Sequence, residues 1–489
     1  MNTAIRRVGF VVALLFVGVA AQLTYLQLVR ANTLDKDPRN VRVVTREYTR
    51  ERGDIVTSDG IVLATSVPST DELKYQRKYP TGPLFGPITG YQSIVVGNTG
   101  VERTYDSTLL GRDIRLQTRG LGDLLNPHNP TGTVVLTLTR QAQLAAKNAL
   151  HGRRGSVVVL DTQTGGVVAM YSEPSFDPTP LASHDRARVQ TYFNFLEALP
   201  NHPDLARSYR ERYPAGSTFK VLTAAIALDD GVVTPTVPVF PPVTNFTPPQ
   251  SNRTLSNFGN ERCGGTVTDS FTHSCNTTFA KIGLMLGDRL AQGITAFGIN
   301  SPPPPIDLFP DAARSVGPEN GTFANNKPFF ALAAIGQGDI AVTPLEMALV
   351  AESVADNGVM MVPHVMSAIR SSDGTVVRRY EPKVWRRTMK PATAAILNGF
   401  MRNVVASGTG TAAQIPGITV AGKTGTAQVD GGPPHAWFIA FAPAEAPRYA
   451  IAVIVERGGD AGSEATGGRV AAPIAAQVLT TLLKGPAGA

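Results

Sequence analysis

Three short groups of residues carry side chains able to activate a hydroxyl and hold an amide. The first is Tyr213-Pro214-Ala215-Gly216-Ser217-Thr218-Phe219-Lys220. Pro and Gly mark a turn into a helix, and Phe219 to Leu228 is apolar nearly all round, as in a buried helix. A serine on the first turn and a lysine three residues later share one face. A neutral Lys220 would take the Ser217 proton and make the hydroxyl a nucleophile. A lysine at its ordinary pKa of about 10.4 is charged at neutral pH, so this chemistry requires burial and a like charge nearby. Alone, Ser-x-x-Lys reads more simply as a helix start with a snorkelling lysine. The second group is Ser274-Cys275-Asn276. Ser274 can relay a proton and Asn276 can bind a substrate amide, although an N-cap with a polar first turn gives the same residues. The third is Gly422-Lys423-Thr424-Gly425-Thr426-Ala427. A strand here would line a cleft with a cation, hydroxyls and backbone N–H groups, and Lys423 would be the like charge that Lys220 needs.

Other readings of these stretches fail on context. Gly417 to Thr424 has P-loop spacing, and Val157 to Asp161 imitates the acidic strand end of an NTPase. A P-loop needs a flexible loop and then a helix, whereas this segment is a β-branched run followed by turn residues through Pro434. Cys275 beside His273 makes no Cys–His pair, because helical neighbours two residues apart face differently. His435 and Trp437 read as edge-of-sheet packing that could rim the cleft.

The elements that position these groups are legible from pattern. Val41 to Thr45, Asp54 to Thr57 and Ile61 to Thr65 are strand-like, the last two joined by a Ser58-Asp59-Gly60 hairpin turn. Thr133 to Thr139 reads as a strand and Arg140 to Leu150 as a helix. A hairpin of 156–160 and 166–172 opens a new domain. Helical windows follow at 217–229, 276–287, 344–357 and 391–405. Strands are expected at 418–421, 436–442 and 449–456, with a last helix at about 470–484. Strands at both ends with helices between imply an α+β sheet with helices packed on it.

Composition narrows the class. Among 489 residues, 43% are hydrophobic and 17% charged, which excludes a largely disordered chain. A formal charge of +7 without a long basic run argues against nucleic acid and favours an anionic surface or substrate. Two Cys are too few for a disulfide scaffold, and the scattered His show no HExxH pattern, so no metal site is expected. Val8 to Leu28 would reach ~30 Å as a helix, one hydrocarbon core. Arg6 and Arg7 precede it, which places the N-terminus inside and the bulk outside. The apolar run extends past a usual signal-peptide core, so an anchor is expected over a cleaved signal.

Ser-x-x-Lys, Ser-x-Asn and Lys-Thr-Gly, in that order in one domain, form a set far more specific than its parts, and it resembles that of penicillin-binding proteins and serine β-lactamases. Arg52-Gly53-Asp54-Ile55, Asp59-Gly60, Leu63-Ala64, Gly100-Val101-Glu102 and Tyr105-Asp106 resemble the N-terminal module of class B penicillin-binding proteins. Ile335-Gly336-Gln337-Gly338, Thr343-Pro344-Leu345 and Ser407-Gly408-Thr409-Gly410 resemble the transpeptidase domain of that family. The similarity covers nearly the whole chain after the anchor.

The resemblance implies a cytoplasmic tail at 1–7, a transmembrane anchor at 8–28, a strand-rich pedestal or dimerisation module at 29–150 and a transpeptidase domain at 151–489. The last would be an α+β, penicillin-binding transpeptidase/β-lactamase-like fold, an antiparallel sheet with helices on both sides. The implied activity is peptidoglycan D,D-transpeptidation through a penicillin-sensitive serine acyl-enzyme, without cofactor. Ser217, Lys220, Ser274 and Lys423 would be catalytic; Asn276, Thr424, Gly425 and Thr426 would bind substrate. Backbone N–H groups of Ser217 and Thr426 would form the oxyanion hole. Implied partners are lipid-linked peptidoglycan precursor, nascent glycan strands, β-lactam antibiotics, a membrane glycan polymerase and division or elongation proteins. Cys263 lies close to Cys275 in sequence, and paired and free states both stay open. No ExxLN-type segment supports a class A β-lactamase. A D,D-carboxypeptidase, which differs only in the acceptor, and a non-enzymatic β-lactam-binding scaffold are the alternatives.

Overall fold

The computed structural model describes residues 2–28, 30, 47–117 and 131–485. The strand expected over 41–45 lies outside the described residues. In chain order the elements used below are α1 (Asn2–Leu28), β1 (Ile55–Val56), β2 (Val62–Pro68), α2 (Gly100–Thr104), β3 (Gly132–Leu136), α3 (Arg140–Leu150), β4 (Gly155–Asp161) and β5 (Val167–Glu173). They continue with α4 (Lys220–Asp229), β6 (Phe240–Val243), β7 (Cys263–Gly265), α5 (Val267–Thr272), α6 (Asn276–Leu286), α7 (Pro344–Ala355), β8 (Met366–Ser371) and β9 (Val376–Arg379). The last are α8 (Pro391–Ala406), β10 (Ala421–Val429), β11 (Gly432–Ala442), β12 (Tyr449–Val455) and α9 (Ala472–Lys484).

Contacts divide the chain into one unit of residues 1–51 and 66–76 and another of residues 52–65 and 77–489. The first contains α1. Its stretch Ile5–Gln27, with mean hydropathy 2.1, is long and apolar enough to cross a membrane.

In the second unit a five-stranded antiparallel sheet has the order β10-β11-β12-β4-β5. Strands covered on both faces read as continuous apolar runs rather than alternating ones. Accordingly β12 (YAIAVIV) is buried at every position and β4 (GSVVVLD) at all but its last. The buried helix α7 packs on β12, β4 and β11; α3 packs on β5 and α9, and α9 also on β11 and β12. The expected sheet with helices on both sides is therefore present. The strand expected over 418–421 is corrected: β10 begins at Ala421, because Pro416-Gly417 turns the chain so that Ile418 bridges Ile415.

A second, six-stranded sheet runs β9-β8-β3-β1-β2 and ends on the short strand Tyr75–Lys78. β1 is parallel to β3 (Ile55↔Val134), and β8 lies antiparallel to β3 on its other side (Ile369↔Val134). Two strands from the C-terminal half thus complete the sheet begun by the N-terminal strands. Packing also continues across residue 150. Gln143 on α3 donates to Met170 O and accepts from Met170 N, both at 2.9 Å, so α3 is tied to β5.

Beside this sheet lies a buried ion cluster. Arg52 Nε and Arg77 Nε each donate to a Glu102 carboxylate oxygen at 2.6 Å, and Arg52 Nη1 reaches Asp106 at 2.8 Å. Tyr79 OH adds a 3.2 Å bond to Glu102. Burial by itself pushes the Glu102 carboxyl up, but the Arg77 and Arg52 charges overcome it and hold it below the usual range.

Candidate active site

The turn that carries Ser217 begins where the chain leaves a two-way backbone bridge between Tyr213 and Val342. Gly216 follows with φ +52°, and a Cβ there would stand 2.7 Å from Thr426 O. Only glycine lets the turn lie this close to β10. Gly216–Phe219 forms a 3-10 turn leading into α4. Residues i and i+3 eclipse in 3-10 geometry, so Ser217 and Lys220 stack on one side. Ser217 is half-buried, whereas Lys220 is fully buried.

Ser274 sits between helices α5 and α6 with φ +60°, an uncommon conformation for a residue with a side chain. Three links hold it. A capping box of Thr266 and Asp269 starts α5. Cys275 is bonded to Cys263 of β7, with Cα atoms 5.4 Å apart, so the pairing left open by sequence is resolved as a disulfide. Asn276 Nδ2 donates to Ser256 O at 2.9 Å, and Thr277 N to Asn257 Oδ1 at 3.0 Å.

The third group lies on β10, paired to β11 with Lys423 opposite Ile439. The three groups meet. Lys220 Nζ lies 2.6 Å from Ser274 O, 2.8 Å from Asn276 Oδ1 and 3.2 Å from Ser274 Oγ. Lys423 Nζ lies 2.9 Å from Ser274 Oγ and 3.0 Å from Thr424 O. The Ser274 hydroxyl thus bridges two buried amines.

The oxygens around Lys220 can accommodate a neutral amine. A neutral Lys220 amine has two protons and one lone pair. The carbonyl of Ser274 and the Asn276 oxygen take the two protons, leaving the lone pair for a hydroxyl proton. Burial, and then the neighbouring Lys423, hold Lys220 well below the ordinary lysine range. Burial alone brings Lys423 down to about 7. Phe279 and Phe271 flank the two amines, at 5.6 and 5.7 Å from the ring centres. Among the described residues, no carboxylate is bonded to either amine.

Thr424 and Thr426 face away from Lys423 along the strand, as period-2 alternation requires. Thr424 Oγ1 lies 2.6 Å from Thr409 Oγ1, and Thr426 Oγ1 accepts from Gly467 N at 3.4 Å. The next position, Gly425, lies between them in the strand, which runs from Ala421 to Val429 and excludes the P-loop reading.

His435 and Trp437 are buried behind the site. Trp437 Nε1 donates to Pro214 O at 2.9 Å, and both rings meet Tyr213 edge-on. A hub missed in the sequence completes this support. Glu456, just past β12, accepts from Tyr213 OH at 2.8 Å, from Arg207 Nε at 2.9 Å and from Arg154 Nε at 2.6 Å. It holds the segment that enters the Ser217 turn.

Comparison with known proteins agrees with this geometry. The family model for the penicillin-binding protein transpeptidase domain matches residues 155–480, and that for the penicillin-binding protein A dimerisation domain matches residues 52–135. The chain is 40% identical over 99% of its length to the peptidoglycan D,D-transpeptidase PbpA of Mycolicibacterium smegmatis, covering 99% of that protein. It is 37% identical to PbpA of Mycobacterium tuberculosis, over 99% of this chain and 100% of that one. Among solved structures, penicillin-binding protein A from M. tuberculosis as a ceftriaxone acyl-enzyme complex superposes with a TM-score of 0.83 at 35% identity, covering 90% of this chain and 100% of that chain. The penicillin G acyl-enzyme complex of the same protein gives 0.81 at 36% identity, covering 89% and 100%. Sequence, fold and the meeting of the three motifs therefore place this chain in the class B penicillin-binding proteins.

Proposed function

We propose that the protein is a penicillin-sensitive peptidoglycan D,D-transpeptidase that cross-links stem peptides during cell-wall synthesis. One observation carries the reading: Ser274 Oγ lies between two buried amines beside the Ser217 turn. Ser217 Oγ attacks the carbonyl between two D-alanines and passes its proton to Lys220. The C–N bond breaks as Ser274 hands a proton from Lys220 to the leaving amine. The amine of a second stem then attacks the ester carbonyl, and Ser217 recovers its proton. Lys423 supplies positive charge to this relay.

Substrate placement follows from the strand. β10 is an edge strand, so its outer N–H and C=O groups can pair an extended stem peptide as an added strand. Asn276 holds an amide, and Thr424 and Thr426 lie near the terminal carboxylate. The N–H groups of Ser217 and Thr426 face the developing oxyanion, and one such donor is worth ~3 kcal/mol. Gly425 lets the strand lie against the Ser217 turn, since a Cβ there would stand 2.9 Å from the Thr218 methyl and 3.1 Å from Ala215 O.

The same reading gives the layout. Residues 8–28 anchor the chain, residues 29–150 form the non-catalytic module with help from β8 and β9, and residues 151–489 form the transpeptidase domain outside the cell membrane. Arg6 and Arg7 before α1 support this orientation. Glycan polymerisation comes from a membrane polymerase partner in the division or elongation machinery. Purified protein treated with penicillin should carry the adduct on Ser217 by mass spectrometry, and Ser217→Ala should take none. With polymerase and lipid-linked pentapeptide it should form cross-links. Equal labelling of Ser217→Ala would overturn the nucleophile, and release of D-alanine alone would make the enzyme a carboxypeptidase.

A further inference from the structure

We infer that Thr409 is a positioning residue for substrate: its hydroxyl donates to Thr424 and thereby turns the Thr424 proton outward, toward the substrate carboxylate. This deepens the proposed function and rests on it. Thr409 belongs to Ser407-Gly408-Thr409-Gly410, a stretch the catalytic scheme leaves without a task. It follows α8 and is exposed, yet its Oγ1 lies 2.6 Å from the buried hydroxyl of Thr424. That distance is a full O–H···O bond.

Either hydroxyl could donate in this bond, and the proposed role requires Thr409 to be the donor. A threonine hydroxyl has one proton and two lone pairs. If Thr424 donated to Thr409, it would have no proton left for an anion. With Thr409 as donor, the Thr424 proton is free, and a bond from it to a carboxylate is charge-assisted. Chains of hydroxyls polarise each other in this direction.

The backbone keeps Thr409 in place. Gly468 packs so tightly that a Cβ there would stand 2.2 Å from Thr409 O and 3.7 Å from the Thr424 methyl. Gly467, beside it, donates to Thr426 Oγ1. The start of one helical turn, Gly467–Ala471, therefore fixes a row of three hydroxyls, Thr409, Thr424 and Thr426, along one side of the strand.

The test uses the full-length protein and measures acylation by benzylpenicillin, which keeps its carboxylate, and by its methyl ester, which does not. Thr409→Val removes the hydroxyl while nearly keeping the shape. It should lose roughly tenfold in acylation efficiency with the free acid, through weaker binding and not a slower limiting rate. The methyl ester should react equally with both forms. Thr409→Ser, which restores the hydroxyl, should return the acid to within about twofold of wild type. Wild-type behaviour of Thr409→Val toward the acid would overturn the inference. So would an equal loss with acid and ester, the mark of a purely structural role; a Thr409→Val protein that fails to fold counts with it. Failure of wild type to acylate at all is a different result, and would remove the Ser217 reading together with this one.

Discussion

Two regions of the molecule bury a pair of cations, and they solve the problem in opposite ways. Beside the N-terminal strands, Arg52 and Arg77 share Glu102, and Asp106 adds a second carboxylate. At the active site, among the described residues, Lys220 and Lys423 share the Ser274 hydroxyl, and two carbonyls and an amide oxygen complete their bonds. Matched charge keeps the first cluster ionised, and guanidinium suits it because it does not lose its proton. Unmatched charge drives the lysines toward neutrality, and an amine can respond. Burial with a counter-ion therefore holds a charge in place; burial without one lowers the pKa of an amine, as the proposed base role of Lys220 requires.

The largest expected effect breaks the site and spares the fold. Lys220→Met should slow acylation by penicillin on the order of 10³-fold or more. Stability should stay within about 2 kcal/mol, because removing a desolvated amine offsets the orphaning of Ser274 O and Asn276 Oδ1. Denaturant melts alongside acylation rates would show both. The reverse pattern is expected at the other cluster. Glu102→Gln removes the carboxylate that both buried guanidinium groups share and should cost about 3–5 kcal/mol. Acylation per folded molecule should be unchanged. If Glu102→Gln leaves the melt untouched, or Lys220→Met unfolds the protein, the comparison fails.

The site was far more legible than its supports, for a physical reason. Ser217 and Lys220 are three apart, so local helix geometry alone aligns them. Ser274, Asn276 and Lys423 were assigned by order and resemblance, and the need of Lys220 for a like charge pointed to Lys423. Glu456 left no such trace. Its partners Arg154, Arg207 and Tyr213 are ordinary in their own windows, and only the fold brings them to one carboxylate. β8 and β9 were missed likewise, because Met366–Ser371 is a short run whose strand character comes from pairing with β3. The segment 418–421 failed the other way: its β-branched residues suggest a strand, but the Pro416-Gly417 turn spends them on a local bridge.

Acidity sharpens the comparison with the smallest steps. Glu102 has a folded pKa below its unfolded value, so the stability it contributes is present above the unfolded pKa and is lost as pH falls through the folded one. Lys423 has its folded pKa lowered to about 7. Between that value and the ordinary lysine range the unfolded chain binds more protons, so stability should rise with pH across this window. Activity should move the other way. Above about 7 the site loses the cation that attracts the substrate carboxylate and supports the oxyanion, and acylation efficiency should fall up to about tenfold per pH unit. Lys423→Arg keeps its charge throughout, so its slower acylation should show no alkaline limb in this range, and its stability no matching rise. A wild-type rate that stays flat from pH 7 to well above it, measured with fluorescent penicillin, would show that Lys423 acts as a hydrogen-bond donor alone. The absence of a counter-ion would then matter for Lys220 only.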